Sequence, residues 1–408
     1  MRTVTDPEPD FVPARGSDPA GSRDGEVQRL RRLFLFFAAT QCRGRSLVYE
    51  TLSEGVAGDS GLLDLLMSTP VQQRRPSLLF AAVNLLLAAA PAAALAAYYP
   101  VHGGRRPVDD QLLPAFAAFC GEHRDALGQL LRDSSTQTNE IRRCVALRLG
   151  LDRVHARWPG PLALVEVGAS AGLNLLVDRY RYRVAGAETS PATASPVLIS
   201  CQVVGGTQAM QVLGPVPEIT SRLGIDQRPV DLADPAAQAW LEAFVWPEQA
   251  DDLAALRAAV RLAVSQEAVT VTTGEATADT ARLIGELPGR EPVVVFTASL
   301  LSYLDAAART AFARQLEEAA GRRPLAWVFA EAPGLLATTD PGLAALAGPV
   351  ARRNSLCLIG TSLRGSRGRD DTRLALADPY LRWLAPARDD GDTFQWLAAD
   401  AASRPAVV

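Results

Sequence analysis

Short apolar runs alternate with amphipathic stretches after residue 158, and this alternation constrains the fold more than any other feature of the sequence. Apolar runs occur at Leu162–Val167, Val293–Phe296 and Leu325–Phe329, as is typical of strands that are buried on both faces. Helical patterns such as Ala306–Ala320 separate them. Because strands that alternate with helices form parallel sheets covered by helices, the sequence predicts a doubly wound α/β domain over residues 159–408.

The residues before this domain show a different pattern. From Val27 onwards, apolar residues recur three and four positions apart, which predicts an all-helical region over residues 27–158. Residues 1–26 are rich in Pro, Asp, Gly and Ser, and we expect them to form a disordered tail. The apolar stretch Ser77–Tyr99 is long enough to cross a bilayer, but Asn84 and Pro91 interrupt it. We therefore expect two packed helices broken at Pro91, with a membrane helix as the alternative.

The composition excludes several kinds of chemistry. All 41 residues in the Lys+Arg count are arginine, so the chain has no lysine for a P-loop or for a Schiff base. A net charge of -4 argues against a broad nucleic-acid surface. Five scattered cysteines and no secretory signal predict a cytoplasmic protein with reduced thiols. Cys120-x-x-His123 has no second pair to complement it, so we expect no metal site.

A turn of small residues directly follows the run Leu162–Val167, and three functions compete for it. Gly168-x-Ser170-x-Gly172 matches the nucleophile elbow of serine hydrolases, but all three histidines precede Ser170 and that fold needs its histidine later. A dinucleotide-binding turn would need glycines where Ser170 and Leu173 stand. The third interpretation is that Glu166-x-Gly168-x-Ser170-x-Gly172 resembles the acidic-x-G-x-G-x-G turn of S-adenosylmethionine-dependent methyltransferases.

Later segments extend the resemblance to methyltransferases. Gly274-Glu275-Ala276 is similar to the end of their third strand, near the adenine, and the segment from Val293 to Leu304 is similar to their fourth strand and the helix start that borders the methyl acceptor. The second-strand acidic residue is either Asp226 or Asp231. The resemblance implies that S-adenosylmethionine is bound by the following residues: Glu166, Gly168, Ser170, Gly172, Asn174, Asp226 or Asp231, Glu275, Ala276 and Thr297. The long spacing from Gly172 to Glu275 predicts an insertion around residues 185–247.

Further segments resemble the signatures of an uncharacterised bacterial family of domains of unknown function, DUF2332. These segments are Gln137-Thr138-Asn139-Glu140, the glycine turn, Asp178-Arg179-Tyr180 and Val245-Trp246-Pro247-Glu248. The similarity runs from about Leu30 to Trp396 and implies a Rossmann-like doubly wound sheet of the methyltransferase type, without an established substrate.

We therefore expect a methyltransferase that acts on a small molecule and needs no nucleic acid or membrane; the sequence leaves its oligomeric state open. Glu140 and His155 are the candidate bases, and Tyr303 is the candidate catalytic residue beside the acceptor. The candidate substrate-binding residues are Gln137, Thr138, Asn139 and Arg142. Two alternatives stay open: an inactive binding or regulatory protein with the same fold, and a serine hydrolase that uses Ser170.

Overall fold

The computed structural model describes residues 23–137, 139–189, 194–204, 213–265, 269–353, 355–366 and 368–387. These residues form two compact units. The helical unit contains residues 23–137 and 233–257, and the sheet unit contains the other described residues from 139 onwards.

Thirteen α-helices lie in the described part of the chain. They are α1 (Arg23–Phe37), α2 (Leu47–Gly58), α3 (Ser60–Leu63), α4 (Pro76–Ala88), α5 (Leu112–Glu122), α6 (Arg124–Asp133), α7 (Cys144–Arg157), α8 (Pro235–Ala243), α9 (Ala250–Ser265), α10 (Thr280–Gly285), α11 (Ala306–Ala320), α12 (Pro333–Thr339) and α13 (Ala344–Ala347). The predicted tail comprises residues 1–26. Residues 1–22 lie outside the described residues, and α1 already begins at Arg23.

The apolar stretch Ser77–Tyr99 forms α4 and then a 3-10 helix, Ala94–Tyr98, with Pro91 between them. Asn84 is buried in α4, where its side-chain amide donates to the carbonyl oxygens of Ala243 (2.9 Å) and Val245 (3.1 Å). No helix of the described residues combines the length and the apolar character that crossing a membrane requires.

Eleven strands of the described residues form one sheet. They are β1 (Leu162–Val167), β2 (Arg181–Val184), β3 (Ala187–Thr189), β4 (Leu198–Val203), β5 (Ile219–Asp226), β6 (Thr270–Thr273), β7 (Val293–Ala298), β8 (Leu325–Glu331), β9 (Cys357–Gly365), β10 (Gly368–Ala377) and β11 (Trp383–Pro386). Their order across the sheet is β3-β2-β4-β11-β10-β9-β8-β7-β1-β5-β6. Most neighbouring strands are parallel, so the predicted α/β class with a preceding helical region is confirmed.

The strands that follow β1 in the chain lie on both sides of it in the sheet. β5 and β6 lie on one side of β1, and β7 and β8 lie on its other side, all parallel to it. The strand order therefore reverses between β1 and β7, and open parallel sheets bind ligands outside the carboxyl ends of the strands at such a point. The region predicted as an insertion, 185–247, contains β5, which pairs directly with β1.

Helix α7 precedes residue 158, where the predicted helical region ends, yet it belongs to the sheet unit. It packs on β8 at Gly150, where an added Cβ would lie 2.3 Å from Cγ1 of Val328. Residues 233–257, which include α8, belong instead to the helical unit. The absence of a side chain at Gly150 is what allows this close approach between a helix and the sheet.

The side chains of β1 alternate between two buried faces of the sheet. Ala163, Val165 and Val167 join an apolar cluster with Phe312 and Leu316 of α11. Because successive side chains of a strand point to opposite faces, Glu166 lies on the other face. Every residue of β1 is buried, so the sheet places one carboxyl group inside an otherwise apolar strand.

Candidate functional site

The turn after β1 has a left-handed backbone at three of its residues. The φ angles are +81° at Gly168, +52° at Ser170 and +71° at Gly172, and a 3-10 helix, Leu173–Arg179, follows. An added Cβ at Gly172 would lie 2.7 Å from Cγ2 of Val271, so both the backbone and the neighbouring side chain require glycine there. The turn therefore keeps a tight shape at the carboxyl end of β1.

Glu166 is buried beneath this turn with one of its two carboxyl oxygens unpaired. Oε1 accepts a hydrogen bond of 2.7 Å from the Asn174 amide, and Oε2 has no hydrogen-bond partner among the described residues. Burial raises the pKa of Glu166 to about 8, although the Asn174 hydrogen bond and the charge of Arg143 act in the opposite direction. Burial therefore favours the protonated carboxyl, and a cationic ligand would favour its ionised form.

Asp226 ends β5 and binds the backbone of the glycine turn. Its Oδ2 accepts a hydrogen bond of 2.8 Å from the backbone N–H of Ser170, and its Oδ1 accepts one of 2.9 Å from that of Arg228. Asp231 lies farther along the chain and is exposed. Of the two residues that the sequence leaves open, the structure brings Asp226 to the turn.

Ser170 has a buried hydroxyl that forms no hydrogen bond with a general base among the described residues. Its side chain is 6% exposed, and its Oγ has no hydrogen-bond partner within the described part of the chain. His155 lies in the last turn of α7, whereas Cys144, at the start of α7, has its Sγ 3.3 Å from Oδ1 of Asn174. The rise of an α-helix places His155 about 16 Å from Cys144 along the helix axis. The structure therefore does not bring this histidine to the turn.

Glu275 and Ala276 follow β6, and their side chains differ in exposure. Glu275 is exposed, and its Oε2 accepts a hydrogen bond of 2.7 Å from the Gln227 amide. Ala276 is buried in the apolar cluster of the sheet unit. Thr297, in β7, is also fully buried, and its Oγ1 accepts a hydrogen bond of 3.0 Å from the Trp327 indole. Of these three predicted cofactor-binding side chains, only Glu275 is accessible.

The segment after β7 is held by a carboxyl group that the sequence analysis missed. Glu331, at the end of β8, accepts hydrogen bonds from the backbone N–H groups of Leu300 (3.0 Å) and Leu301 (3.2 Å). Burial raises the pKa of Glu331 to about 7, against the effect of these hydrogen bonds. Tyr303 ends the 3-10 helix that begins at Leu300, and it is 45% exposed. The sequence feature that could have revealed Glu331 is an acidic residue at the end of an otherwise apolar strand.

The predicted substrate-binding residues divide between the two units. Gln137 is buried in the helical unit, Thr138 lies outside the described residues, and Asn139 is half-buried in the sheet unit. Oε1 of Glu140 accepts a hydrogen bond of 3.1 Å from the backbone N–H of Arg142, and their side chains form an ion pair of 3.8 Å. Glu140 therefore caps the short 3-10 helix before α7.

A family profile matches residues 31–385, and its description is "Uncharacterized protein conserved in bacteria (DUF2332)". The chain belongs to this family. The family resemblance predicted from the signature segments is thereby confirmed. No curated protein and no solved structure matches the chain.

Two of the signature segments of this DUF2332 member have structural roles. Glu248 accepts hydrogen bonds from the Ser46 hydroxyl (2.6 Å) and from the backbone N–H of Val48 (2.9 Å), so it fixes the start of α2. Asp178 accepts a hydrogen bond of 2.8 Å from Arg222 of β5. Because these contacts explain those segments by folding alone, the glycine turn is the signature segment with the clearest capacity to bind a ligand.

Proposed function

We propose that this DUF2332 member binds S-adenosylmethionine at residues 168–172 and transfers its methyl group to a small-molecule acceptor. One observation carries the proposal: Glu166, Asp226 and Glu275 lie at or just after the carboxyl ends of three neighbouring strands, and Asp226 accepts a hydrogen bond from the turn. The strand order β6-β5-β1-β7-β8, with its reversal beside β1, supports a sheet of the methyltransferase type.

Each acidic residue suits a different part of the cofactor. Glu166 has an unpaired oxygen for the ammonium group of the methionine end. Asp226 retains acceptor capacity on both oxygens beside the turn, which suits the ribose hydroxyls. Glu275 is exposed and follows β6, the strand beside β5, and this position suits the adenine amine. Methyl transfer then depends mainly on positioning, because the sulfonium already activates the methyl carbon.

An inactive S-adenosylmethionine-binding protein is the second candidate function. It is favoured by Ser170, which stands at the middle position of the turn with a φ of +52°, a conformation that glycine adopts more easily. Binding without turnover against a panel of metabolites would support this second candidate.

Isothermal titration with S-adenosylmethionine and S-adenosylhomocysteine tests the proposed function. We expect Asp226→Asn to weaken the binding of both ligands by about tenfold, because the ribose loses a charged acceptor, each tenfold being about 1.4 kcal/mol. Asp231→Asn is expected to change binding less than twofold, because the Asp231 side chain is exposed and the Asp226 carboxylate is the one that accepts a hydrogen bond from the turn. The absence of binding to wild type at millimolar ligand would refute the proposed function.

A fluorophosphonate probe tests the hydrolase alternative. We expect no labelling of Ser170, because its hydroxyl is buried and hydrogen-bonds to no base within the described residues. Mass spectrometry of the labelled protein, with Ser170→Ala as the control, measures this. Labelling of wild type that disappears in this control would support the hydrolase alternative.

A further inference from the structure

Arg143 is a half-buried arginine whose hydrogen bonds within the described residues go to uncharged oxygens. Its Nη1 donates to the carbonyl oxygen of Ala298 (3.2 Å), and its Nη2 donates to the hydroxyl of Ser299 (3.1 Å). Its Nε is buried and has no hydrogen-bond partner in the described part of the chain. No carboxylate oxygen of the described residues lies within 4.0 Å of its guanidinium nitrogens, so no direct ion pair neutralises its charge there.

Arg143 directly precedes α7, a helix of 14 residues, and the amino end of a helix carries a partial positive charge. Glu166 and Glu331 both lie close enough for the arginine to lower their pKa values. Burial favours the protonated form of Glu166, and both oxygens of Glu331 already accept backbone hydrogen bonds, so neither carboxyl forms a direct ion pair with Arg143.

Ser299 supplies a second donor at the same place. It is the first residue after β7, is partly exposed, and has a left-handed φ of +61°. Its oxygen accepts the hydrogen bond from Arg143, which leaves the hydroxyl hydrogen available for another acceptor. Such backbone strain in a residue other than glycine is often retained at ligand sites. Two donors, one of them charged, therefore meet at the carboxyl end of β7.

We propose that Arg143 and Ser299 bind a carboxylate of the methyl acceptor, so that the substrate is a small carboxylic acid. This inference rests on the proposed function. The subsite lies on the β7 side of β1, whereas Asp226 and Glu275 lie on its β5 and β6 side. A cofactor whose adenosine lies on the β5 and β6 side leaves the β7 side for the acceptor. A guanidinium and a hydroxyl match the two oxygens of a carboxylate in geometry and in charge.

Ligand-detected NMR on the full chain saturated with S-adenosylhomocysteine tests this subsite. The probes are acetate, benzoate and succinate, each compared with its uncharged amide. We expect at least one carboxylate to bind ten or more times more tightly than its amide, because the amide cannot replace the charge-assisted contact. If no carboxylate binds, or if the amides bind equally well, the proposed subsite is wrong.

Substitutions assign the binding to the two residues. We expect Arg143→Met to weaken carboxylate binding at least tenfold, Arg143→Lys to weaken it less, and Ser299→Ala to weaken it about threefold. Arg314→Met is the matched control, because Arg314 is an exposed arginine on α11 of the same unit. Thermal unfolding checks each variant, and if Arg143→Met does not fold, the Lys and Ala variants decide. Equal binding in these variants and in the control would overturn the proposal.

Two further outcomes separate this inference from the proposed function. If Arg143→Met weakens S-adenosylhomocysteine tenfold but leaves 5′-methylthioadenosine unchanged, the arginine binds the carboxylate of the cofactor, and the inference about the acceptor is wrong. If wild type binds a carboxylate through Arg143 but binds no S-adenosylhomocysteine, the proposed function fails while the carboxylate subsite stands.

Discussion

Replacing Gly172 by alanine is expected to destabilise the protein and to weaken the binding of S-adenosylhomocysteine at least tenfold. The left-handed backbone at Gly172 costs an alanine about 1–2 kcal/mol. The new methyl group would also lie 2.7 Å from Val271 and 2.8 Å from Val269, and overpacking of this kind costs about 1–3 kcal/mol. Because the turn must shift to relieve the overlap, the ligand loses its binding surface together with the stability.

Gly186→Ala is the matched control for this prediction. Gly186 has a similar φ of +79°, but an added Cβ there would meet no heavy atom within 4 Å. We expect this variant to lose only the backbone cost and to keep its ligand affinity. Urea unfolding and isothermal titration measure the two effects separately. Full ligand affinity in Gly172→Ala would show that the ligand does not use this turn.

Glu166 is expected to make the protein less stable as the pH rises from about 4.5 to about 8. Its pKa is raised from 4.5 to about 8 in the folded protein, so between these values the folded state holds a proton that the unfolded state has lost. The free energy of unfolding therefore falls with pH, by at most about 1.4 kcal/mol per pH unit from this group. Above pH 8 both states are ionised, and the effect of Glu166 levels off.

Glu166→Gln isolates this contribution from that of Glu331, whose pKa is raised in the same direction. Glutamine has the shape of the protonated carboxyl and can still accept the hydrogen bond from Asn174. We therefore expect the variant to match wild type near pH 5 and to be more stable than wild type near pH 8. Urea unfolding at three pH values measures the difference. Parallel pH profiles would contradict the protonation of Glu166.

The proton on the Glu166 carboxyl should also make the binding of S-adenosylmethionine depend on pH. A cationic ligand favours the ionised carboxylate, so binding should release a proton from Glu166 and should tighten as the pH rises towards 8. Titration calorimetry in buffers of different ionisation enthalpy counts the released proton. Glu166→Gln should bind the ligand more weakly and release no proton at this position. A proton release that persists unchanged in the variant would assign it to another group.

Local sequence patterns were enough to predict the central strands and the turn. The apolar runs predicted at Leu162–Val167, Val293–Phe296 and Leu325–Phe329 correspond to β1, β7 and β8, because burial on both faces requires apolar residues throughout a strand. The exact start of α7 is less evident from such patterns: a 3-10 helix at Ile141–Arg143 precedes the α-helix, which begins at Cys144. Helix ends depend on such local competition between hydrogen bonds.

The sequence by itself determined the family, the α/β class and the glycine turn, since each of these depends on residues that are close together in the chain. Only the tertiary structure decided that Asp226 contacts the turn and that Arg143 reaches Ser299. These contacts join residues that are tens to more than a hundred positions apart. Strand order and helix packing bring such residues together, and no short pattern of residues encodes either of them.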